Sequence, residues 1–286
     1  MFYLIDKPAG ISSFWVIRQL RKILDIRKIW HAGTLDPFAT WCLIIATGKS
    51  TKLIPLLESA SKEYIATIRI DGKTESFDTE TPILPIDTSN FSWKSKDDIE
   101  WFLLSQREQS PPIYSAIHVN GKRSYELARK GQNPTLEKRP IIVHEVSVLA
   151  IHESEITLKM LVSSGCYMRS FWPLLWEFLG VEGWYLTALR RTRIVWNHTD
   201  IHIDECHSID NASQIHLSKL FHTIPTYKAD HITYGNLIHW RKIMTNDLSY
   251  PLEDDKIFFL ENSDWTYVSL CTKKGDIIEV LKNDVL

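Results

Sequence analysis

The chain has 286 residues, of which 44% are apolar, with 33 Lys and Arg against 35 Asp and Glu. This length and composition predict one large or two modest domains with an ample core. No apolar run reaches the roughly 18 residues of a membrane span, and the N-terminus lacks the basic and apolar regions of a signal peptide. Residues 1–200 carry 25 basic against 22 acidic side chains and residues 201–286 carry 8 against 13, so an anionic partner is expected to contact the first two thirds.

The N-terminal half is predicted to alternate between short strands and helices. "FYLIDK" forms an apolar strand, and Ser12 or Ser13 caps a helix after the Pro-Ala-Gly turn. In that helix, apolar side chains recur at helical spacing at Phe14, Ile17, Leu20 and Leu24. "WCLIIAT" predicts a buried strand, "KSTKLIPLLE" a helix and "KEYIATIRID" an alternating strand. Residues 80–100, rich in Pro, Ser and Asp, are predicted to form a surface loop.

The C-terminal half is predicted to change from mixed structure to short strands. "KRSYELARKG" predicts a basic helix ending at Gly131, and "RPIIVHEVSVLAIHESEITLKMLVSS" two strands with a turn near His152 and Glu153. "GCYMRSFWPLLWEFLG" predicts a helix that accepts Pro173 only within its first turn. After residue 205 the pattern is short strands with polar turns, which indicates a small β-rich domain from about residue 225.

Two common kinds of site are not supported by the motifs. "ATGKST" resembles the end of a phosphate-binding loop, but the motif requires glycine where Leu43 stands. No H-E-x-x-H motif is present and the 11 His are scattered, so no metal site is expected. The four cysteines form no C-x-x-C pair, which predicts reduced thiols in a cytosolic protein.

Asp36 is the most informative residue of the N-terminal half. Gly33 allows backbone angles that other residues avoid, and Pro37 holds Asp36 in an extended conformation. An isolated Asp in such a loop is usually a turn or capping residue. His31 nearby and the Arg of "YMRS", which opens a helix far downstream, favour a functional carboxylate paired with that Arg.

Several sequence blocks resemble the TruB family of tRNA pseudouridine-55 synthases, in the order in which that family has them. They cover most of residues 1–196, whereas residues 225–286 are only loosely similar to the family's small RNA-binding domain of PUA-like type. The blocks are "LIDKPAGISS", His31 with "GTLDP", "ATGKSTK", "KEYIATIRI", "PPIYSAIHVNGKRSYELARKG", "KRPIIVHEV", "GCYMRS" and "YLTALRRTR".

The resemblance implies an α+β pseudouridine synthase fold with a mixed, mostly antiparallel sheet flanked by helices. Residues 1–205 would form the catalytic domain and residues 225–286 a small β-rich PUA-like domain. The implied reaction converts one uridine of the tRNA T-arm to pseudouridine by base flipping, without cofactor or metal. The protein is expected to be a cytoplasmic monomer that needs neither a membrane nor a guide RNA.

The resemblance also implies three catalytic residues. Asp36 would be the essential carboxylate, either by attacking the sugar or by assisting glycal formation, and these two routes remain open. Arg169 would pair with it and orient it. Tyr64 would stack on the target base and move a proton.

Four further residues are implied to bind the substrate. Tyr167 and Leu189 would line the pocket, and His31 would fill the gap that the flipped base leaves in the RNA. Lys7 would support the site from the first strand.

Basic clusters are expected to contact RNA phosphates. Residues 18–52 hold seven Lys and Arg against two acids, residues 122–139 hold six against two, and "RRTR" at 190–193 adds three. Two alternatives stay open beside the enzyme: a non-catalytic tRNA-binding or tRNA-folding protein on the same scaffold, and a guide-RNA-dependent synthase.

The tryptophan content is unusual. Gly and Trp each occur 11 times, whereas average usage gives about 7% Gly, or roughly 20 residues. Trp30, Trp41 and Trp176 stand where the resembled family has glycine, which suggests UGA codons that the organism reads as glycine; the alternative is a real sequence with unusual aromatics. Further tryptophans at turn-like or glycine-tolerant places are Trp15, Trp184, Trp196, Trp240 and Trp265.

Overall fold

The computed structural model describes residues 1–119, 121–132, 134–181, 183–196, 199–200, 206–222, 224–239, 243–245, 248, 250–262 and 268–285. The predicted domain limit at residue 205 and the tryptophans at 240 and 265 lie outside these residues. The helices are α1 (Ser13–Leu24), α2 (Ile54–Ser59), α3 (Lys96–Leu104), α4 (Ser124–Ala128), α5 (Phe171–Leu179), α6 (Leu217–Leu220) and α7 (His231–Ile238). No helix of the described residues is long and apolar enough to cross a membrane.

Two antiparallel sheets are built mainly from the first two thirds of the described chain, and β15 (Gln214–Ile215) joins the first of them from further along. Their strands are β1 (Phe2–Lys7), β2 (Ile29–Ala32), β3 (Trp41–Thr47), β4 (Ser61–Arg69), β11 (Val143–His152), β12 (Glu155–Val162), β13 (Tyr185–Trp196), β14 (Thr199–Asp200) and β15 (Gln214–Ile215). The first sheet has the order β15-β1-β3-β2 and the second the order β11-β12-β4-β13-β14. Three short hairpin-like pairs accompany them: β5 (Gly72–Lys73) with β6 (Leu84–Pro85), β7 (Glu108–Gln109) with β10 (Arg139–Pro140), and β8 (His118–Val119) with β9 (Lys122–Arg123).

The two sheets meet just before β3. The Thr40 amide donates to the Leu189 carbonyl over 2.9 Å, and Thr40 forms a parallel bridge with Arg190. The loop that precedes β3 is therefore fixed to strand β13, next to the central strand β4 of the second sheet.

Helix α1 begins where the capping signal predicts. The Ser12 hydroxyl accepts from the amide of Trp15 over 3.1 Å, and Val16 and Leu20 are fully buried. Of the apolar residues at helical spacing, Phe14 in the first turn is 51% exposed and lies beside the Arg21 guanidinium.

The predicted loop at residues 80–100 was wrong at its C-terminal end. Helix α3 begins at Lys96, with the Ser95 hydroxyl accepting from the Asp98 amide over 3.1 Å. Ile99 and Leu103, four residues apart, are fully buried. The Pro- and Ser-rich composition of the segment favoured a loop, so the helix cap at Ser95 and the apolar pair of Ile99 and Leu103 were not recognised as a helix.

A third sheet makes the C-terminal region β-rich, as expected. Its order is β16-β18-β19-β20-β17, with β16 and β18 parallel and the other pairs antiparallel. The combination of helices with mixed, mostly antiparallel sheets confirms the predicted fold class. Its strands are β16 (Thr226–Lys228), β17 (Ile243–Met244), β18 (Ile257–Glu261), β19 (Val268–Lys274) and β20 (Ile277–Lys282).

The C-terminal sheet shares an apolar core with the first sheet. Phe259 and Leu270 belong to the same buried cluster as Phe2 and Leu4 of β1. The lysines of "GKSTK" also bind this region: Lys49 pairs with Asp284 over 2.9 Å, and Lys52 donates to the carbonyls of residues 283 and 284. These contacts give the lysines of the rejected phosphate-loop motif a structural role.

The prediction of four reduced cysteines was wrong for two of them. Cys42 and Cys206 form a disulfide with their Cα atoms 5.7 Å apart, while Cys166 and Cys271 are unpaired. The bonded residues are 164 positions apart in the chain, so a search for local Cys spacing could not detect them.

The shared core predicts that a cavity in the C-terminal sheet destabilises the whole protein. Leu270→Ala should lower the free energy of unfolding by about 2–5 kcal/mol, because Leu270 is fully buried. Leu281→Ala, at a side chain 39% exposed, is the control and should cost less than about 1 kcal/mol. Urea unfolding followed by tryptophan fluorescence and by far-ultraviolet circular dichroism measures both; equal losses for the two variants would contradict the shared core.

Candidate active site

The loop that carries Asp36 is held by neighbouring elements on both sides. The Ser13 hydroxyl accepts from the Leu35 amide over 2.9 Å and donates back to its carbonyl over 3.2 Å. After Asp36, Thr40 is bonded to β13. Gly33 begins the loop with φ +77°, and a Cβ there would lie 2.9 Å from a guanidinium nitrogen of Arg191. Glycine is therefore needed for the backbone conformation, and a larger residue would also displace the Arg191 guanidinium.

Lys7 supports this loop from β1, as the resemblance implies. Its ammonium, fully buried, donates to the carbonyls of Pro8, Ile11 and Pro37 over 2.9, 2.7 and 3.0 Å. Burial lowers the pKa of Lys7 to about 8, and the charge of Asp36 opposes this shift. Lys7 thus fixes the residue that follows Asp36.

Arg169 makes the expected pair with Asp36. Its Nε and Nη2 donate to the two carboxylate oxygens over 3.0 and 2.8 Å, which is a bidentate ion pair. The other donors bind the carbonyls of Ser76 and Tyr114 over 3.1 and 2.9 Å. The Arg169 side chain is 4% exposed and that of Asp36 29% exposed, so the pair is anchored inside and the carboxylate reaches solvent.

Asp78 is a second carboxylate at Arg169 that the sequence did not single out. It is 1% exposed, lies 3.6 Å from the Arg169 guanidinium and accepts from the Ser76 hydroxyl over 2.6 Å. Burial would lower the pKa of Arg169, but Asp36 and Asp78 raise it on balance. Asp78 lies between β5 and β6, and no local pattern distinguished it from the other acids of "KTESFDTE".

Tyr64 lies near Asp36 and beside a buried cation. On β4 it pairs in register with Arg191 on β13, so the buried guanidinium of Arg191 lies close to its phenol. Burial raises the pKa of Tyr64, Arg191 opposes this and Asp36 adds to it. Arg191 also donates to the carbonyls of Gly33 and Cys42 over 3.4 and 3.3 Å.

The burial of Arg191 corrects part of the predicted basic surface. Arg191 is 1% exposed and cannot contact a phosphate from solvent. Arg193 pairs with Glu63, Glu145 and Asp200. Arg190 is exposed and lies 3.7 Å from Asp6. The alternation along β13 places Arg191 on the same face as the buried Leu189, and this signal could have identified it.

Tyr167 lies near the Asp36 carboxylate, and Leu189 lies where β13 contacts the Asp36 loop. The Tyr167 amide donates to Gln109 Oε1 over 2.5 Å, and burial raises the pKa of its phenol with a further contribution from Asp36. Leu189 is 5% exposed and its carbonyl accepts from Thr40. The structure thus brings Asp36, Tyr64, Arg169, Tyr167, Leu189 and Lys7 together around one loop.

His31 lies on β2 beside this cluster. Its ring stacks on Trp30, with centroids 5.5 Å apart, and its Nδ1 is buried without a hydrogen-bond partner among the described residues. Burial and the nearby Arg191 lower the pKa of His31 to about 4. The imidazole is therefore neutral at pH 7.

Two of the predicted basic clusters lie on the surface. The exposed cations of α1 and its following turn are Arg18, Lys22, Arg27 and Lys28. Those around α4 and before β11 are Lys122, Arg129, Lys130, Lys138 and Arg139. Among the described residues, no group of three or more His, Cys, Asp and Glu is placed to hold a metal ion.

Comparison with known proteins gives concordant matches. Residues 21–168 match the sequence model of the TruB family pseudouridylate synthase (N terminal domain). The chain is 37% identical to tRNA pseudouridine synthase B of Phocaeicola vulgatus, over 72% of this chain and 88% of that protein. It is 35% identical to tRNA pseudouridine synthase B of Thermus thermophilus, over 67% and 72%. The solved structure titled "Crystal Structure of a Cbf5-Nop10-Gar1 Complex" superposes with a TM-score of 0.66 at 20% identity, over 99% of this chain and 84% of that one, which supports the fold.

The lowered pKa of His31 predicts a specific loss of stability in acid. Unfolded His titrates near 6.5 and folded His31 near 4, so the unfolded state binds more protons between these values. This contribution is fully present above pH 6.5 and is lost as the pH falls towards 4.

His31→Gln removes the effect. Between pH 7 and pH 4 the original chain should lose up to about 3 kcal/mol more unfolding free energy than His31→Gln. Urea unfolding at each pH measures the difference. His152→Gln, at the exposed last residue of β11, is the control. Parallel curves for the original chain and His31→Gln would contradict a buried neutral His31.

Proposed function

This chain belongs to the TruB family of pseudouridylate synthases, and from that premise we propose that it isomerises uridine 55 in the T-arm of tRNA to pseudouridine. It is a tRNA pseudouridine synthase. The observation that carries the finer proposal is the bidentate pair of Arg169 with the half-exposed Asp36, because it supplies an oriented carboxylate at an accessible loop.

The reaction exchanges one bond of the base for another. The N1–C1′ glycosidic bond breaks, the uracil rotates, and a C5–C1′ bond forms. The proton on C5 is lost and N1 gains one, so atoms and electrons balance within the substrate. Because no electrons pass to another molecule, we expect the reaction to need neither a cofactor nor a metal.

Asp36 acts at the sugar in this proposal. An ionised carboxylate attacks C1′ and forms a covalent intermediate, or it assists loss of the base through a glycal. Both routes require a fixed carboxylate, and the second guanidinium contact prevents rotation of the Asp36 side chain. Lys7 and Ser13 limit movement of the loop itself.

Tyr64 is proposed to stack on the uracil and to receive the C5 proton. The Arg191 guanidinium beside its oxygen favours the phenolate that a base requires, although burial holds the pKa of Tyr64 above its ordinary value. Tyr167 and Leu189 contact the flipped base, and neutral His31 enters the space that the base vacates.

The RNA is proposed to bind across the two exposed basic clusters. Residues 18–28 and 122–139 supply cations for phosphate contacts, which give salt-dependent affinity, and the folded T-arm is recognised by its shape. The division into a synthase unit of residues 1–205 and a PUA-like unit of residues 225–286 also stays a proposal. Its support is the separate C-terminal sheet.

We further propose that the protein acts as a monomer in the cytoplasm without a guide RNA. Pairing with a guide is unnecessary if the T-arm fold itself is recognised. The cytoplasm is where a tRNA substrate is expected, whereas the cysteine argument no longer supports this compartment because Cys42 and Cys206 are bonded.

A T-arm stem-loop transcript tests the proposal. The chain is mixed with RNA in the presence of a metal chelator and without guide RNA, and pseudouridine is mapped by position. Product is expected at position 55, and Asp36→Asn should reduce its rate by at least about a thousandfold. Asp87→Asn, in an exposed loop, is the control and should react normally. Product at another uridine contradicts the position, and tight RNA binding without product favours the non-catalytic alternative.

A further inference from the structure

We propose that residue 41 is glycine in the protein made by its own cell. The codon there would be UGA, which that organism reads as glycine and which is translated as tryptophan in this sequence. Residue 41 is the position at which the backbone turns from the Asp36 loop into β3. The structure gives Trp41 a φ of +126°. L-residues other than glycine rarely adopt such an angle, and a bulky aromatic is among the least suited to it.

The φ angle of +126° separates Trp41 from the other residues with positive φ. Among the described residues, the four other non-glycine residues with positive φ have values between 51° and 61°, within the small left-handed region that L-residues can occupy. Eight of the 11 glycines also have positive φ. Trp41 therefore stands in a backbone position of the kind that this chain otherwise gives to glycine.

The neighbouring contacts impose this conformation. Thr40, immediately before, is bonded through its amide and carbonyl to residues 189 and 191 of β13. Residue 41 itself begins β3 and pairs with Lys7 of β1. The chain must change direction between two fixed strands within one residue, so Trp41 cannot relax without displacing the loop of Asp36.

The indole also occupies space beside the site. Trp41 is 5% exposed and its ring centroid lies 5.1 Å from the guanidinium carbon of Arg191. The Nε of Arg191 is buried without a hydrogen-bond partner among the described residues. Arg191 pairs in register with Tyr64, so the side chain at residue 41 packs against the cation that lies next to Tyr64.

The composition extends the proposal beyond one residue. Eleven Gly together with 11 Trp approach the glycine content expected of such a chain with a few genuine tryptophans. The backbone argument applies to residue 41 alone. Trp15, expected at a turn-like or glycine-tolerant place, lies in α1, Trp176 lies in α5, and Trp184 and Trp196 are buried.

Mass spectrometry of the protein purified from its own cells decides the identity of residue 41. Trypsin releases Ile29–Lys49 as one peptide after reduction, and this peptide contains residues 30 and 41. Fragment ions are expected to show glycine at 41, and glycine at 30 would extend the recoding. Tryptophan at 41 would overturn the proposal. This test is independent of the proposed reaction.

A variant series tests the role of the position. Removing a buried indole ordinarily lowers the unfolding midpoint by leaving a cavity. Trp41→Gly is instead expected to raise it by several degrees, whereas the exposed helical control Trp101→Gly should lower it slightly. A lower midpoint for Trp41→Gly would overturn the proposal.

A kinetic measurement on the same variant rests on the proposed function. Trp41→Gly should raise kcat on the T-arm by at least about tenfold, with Kd for the RNA changed less than about twofold, because a positioning role acts on the reacting groups. Unchanged kcat in a stabilised Trp41→Gly would overturn the positioning role. A stable Trp41→Gly that binds RNA but forms no product would contradict the proposed reaction and leave the identity of residue 41 to the mass measurement.

Discussion

The buried guanidinium of Arg169 is the constraint on which the arrangement of this site depends. A cation in this environment requires partners for all of its donors, and the structure supplies two carboxylates and two backbone carbonyls. These come from segments far apart in the chain, since Asp36 and Arg169 are 133 residues apart. Breaking one contact leaves an uncompensated buried charge, so the pair orients Asp36 and holds the surrounding loops together.

The fold makes this arrangement rigid by attaching the Asp36 loop at several points. Ser13 holds it from α1, Lys7 from β1 and Leu189 from β13. Such a loop gives a carboxylate with little freedom to lose when a substrate binds, which is the entropic part of a rate enhancement. The same attachments leave the backbone at residue 41 no alternative path, and this explains why an unsuitable side chain matters there.

The sequence predicted the elements whose signals are local. The N-cap of α1, the apolar run of β3 and the turn that separates β11 from β12 are properties of neighbouring residues, and the structure has each of them. The family resemblance predicted that Asp36 and Arg169 would be paired. The alternation along β13 carried a local signal for the burial of Arg191. Local patterns could not identify Asp78 or the Cys42–Cys206 bond, because each depends on how distant segments meet.

The most direct test of the account is the single-turnover rate of Arg169→Lys on a T-arm stem-loop. Lysine keeps the charge but cannot make the bidentate contact with Asp36. If that contact positions the carboxylate, the rate should fall by at least about a hundredfold while Kd for the RNA changes less than about threefold. A rate equal to that of the original chain, in a folded protein that binds RNA normally, would contradict it.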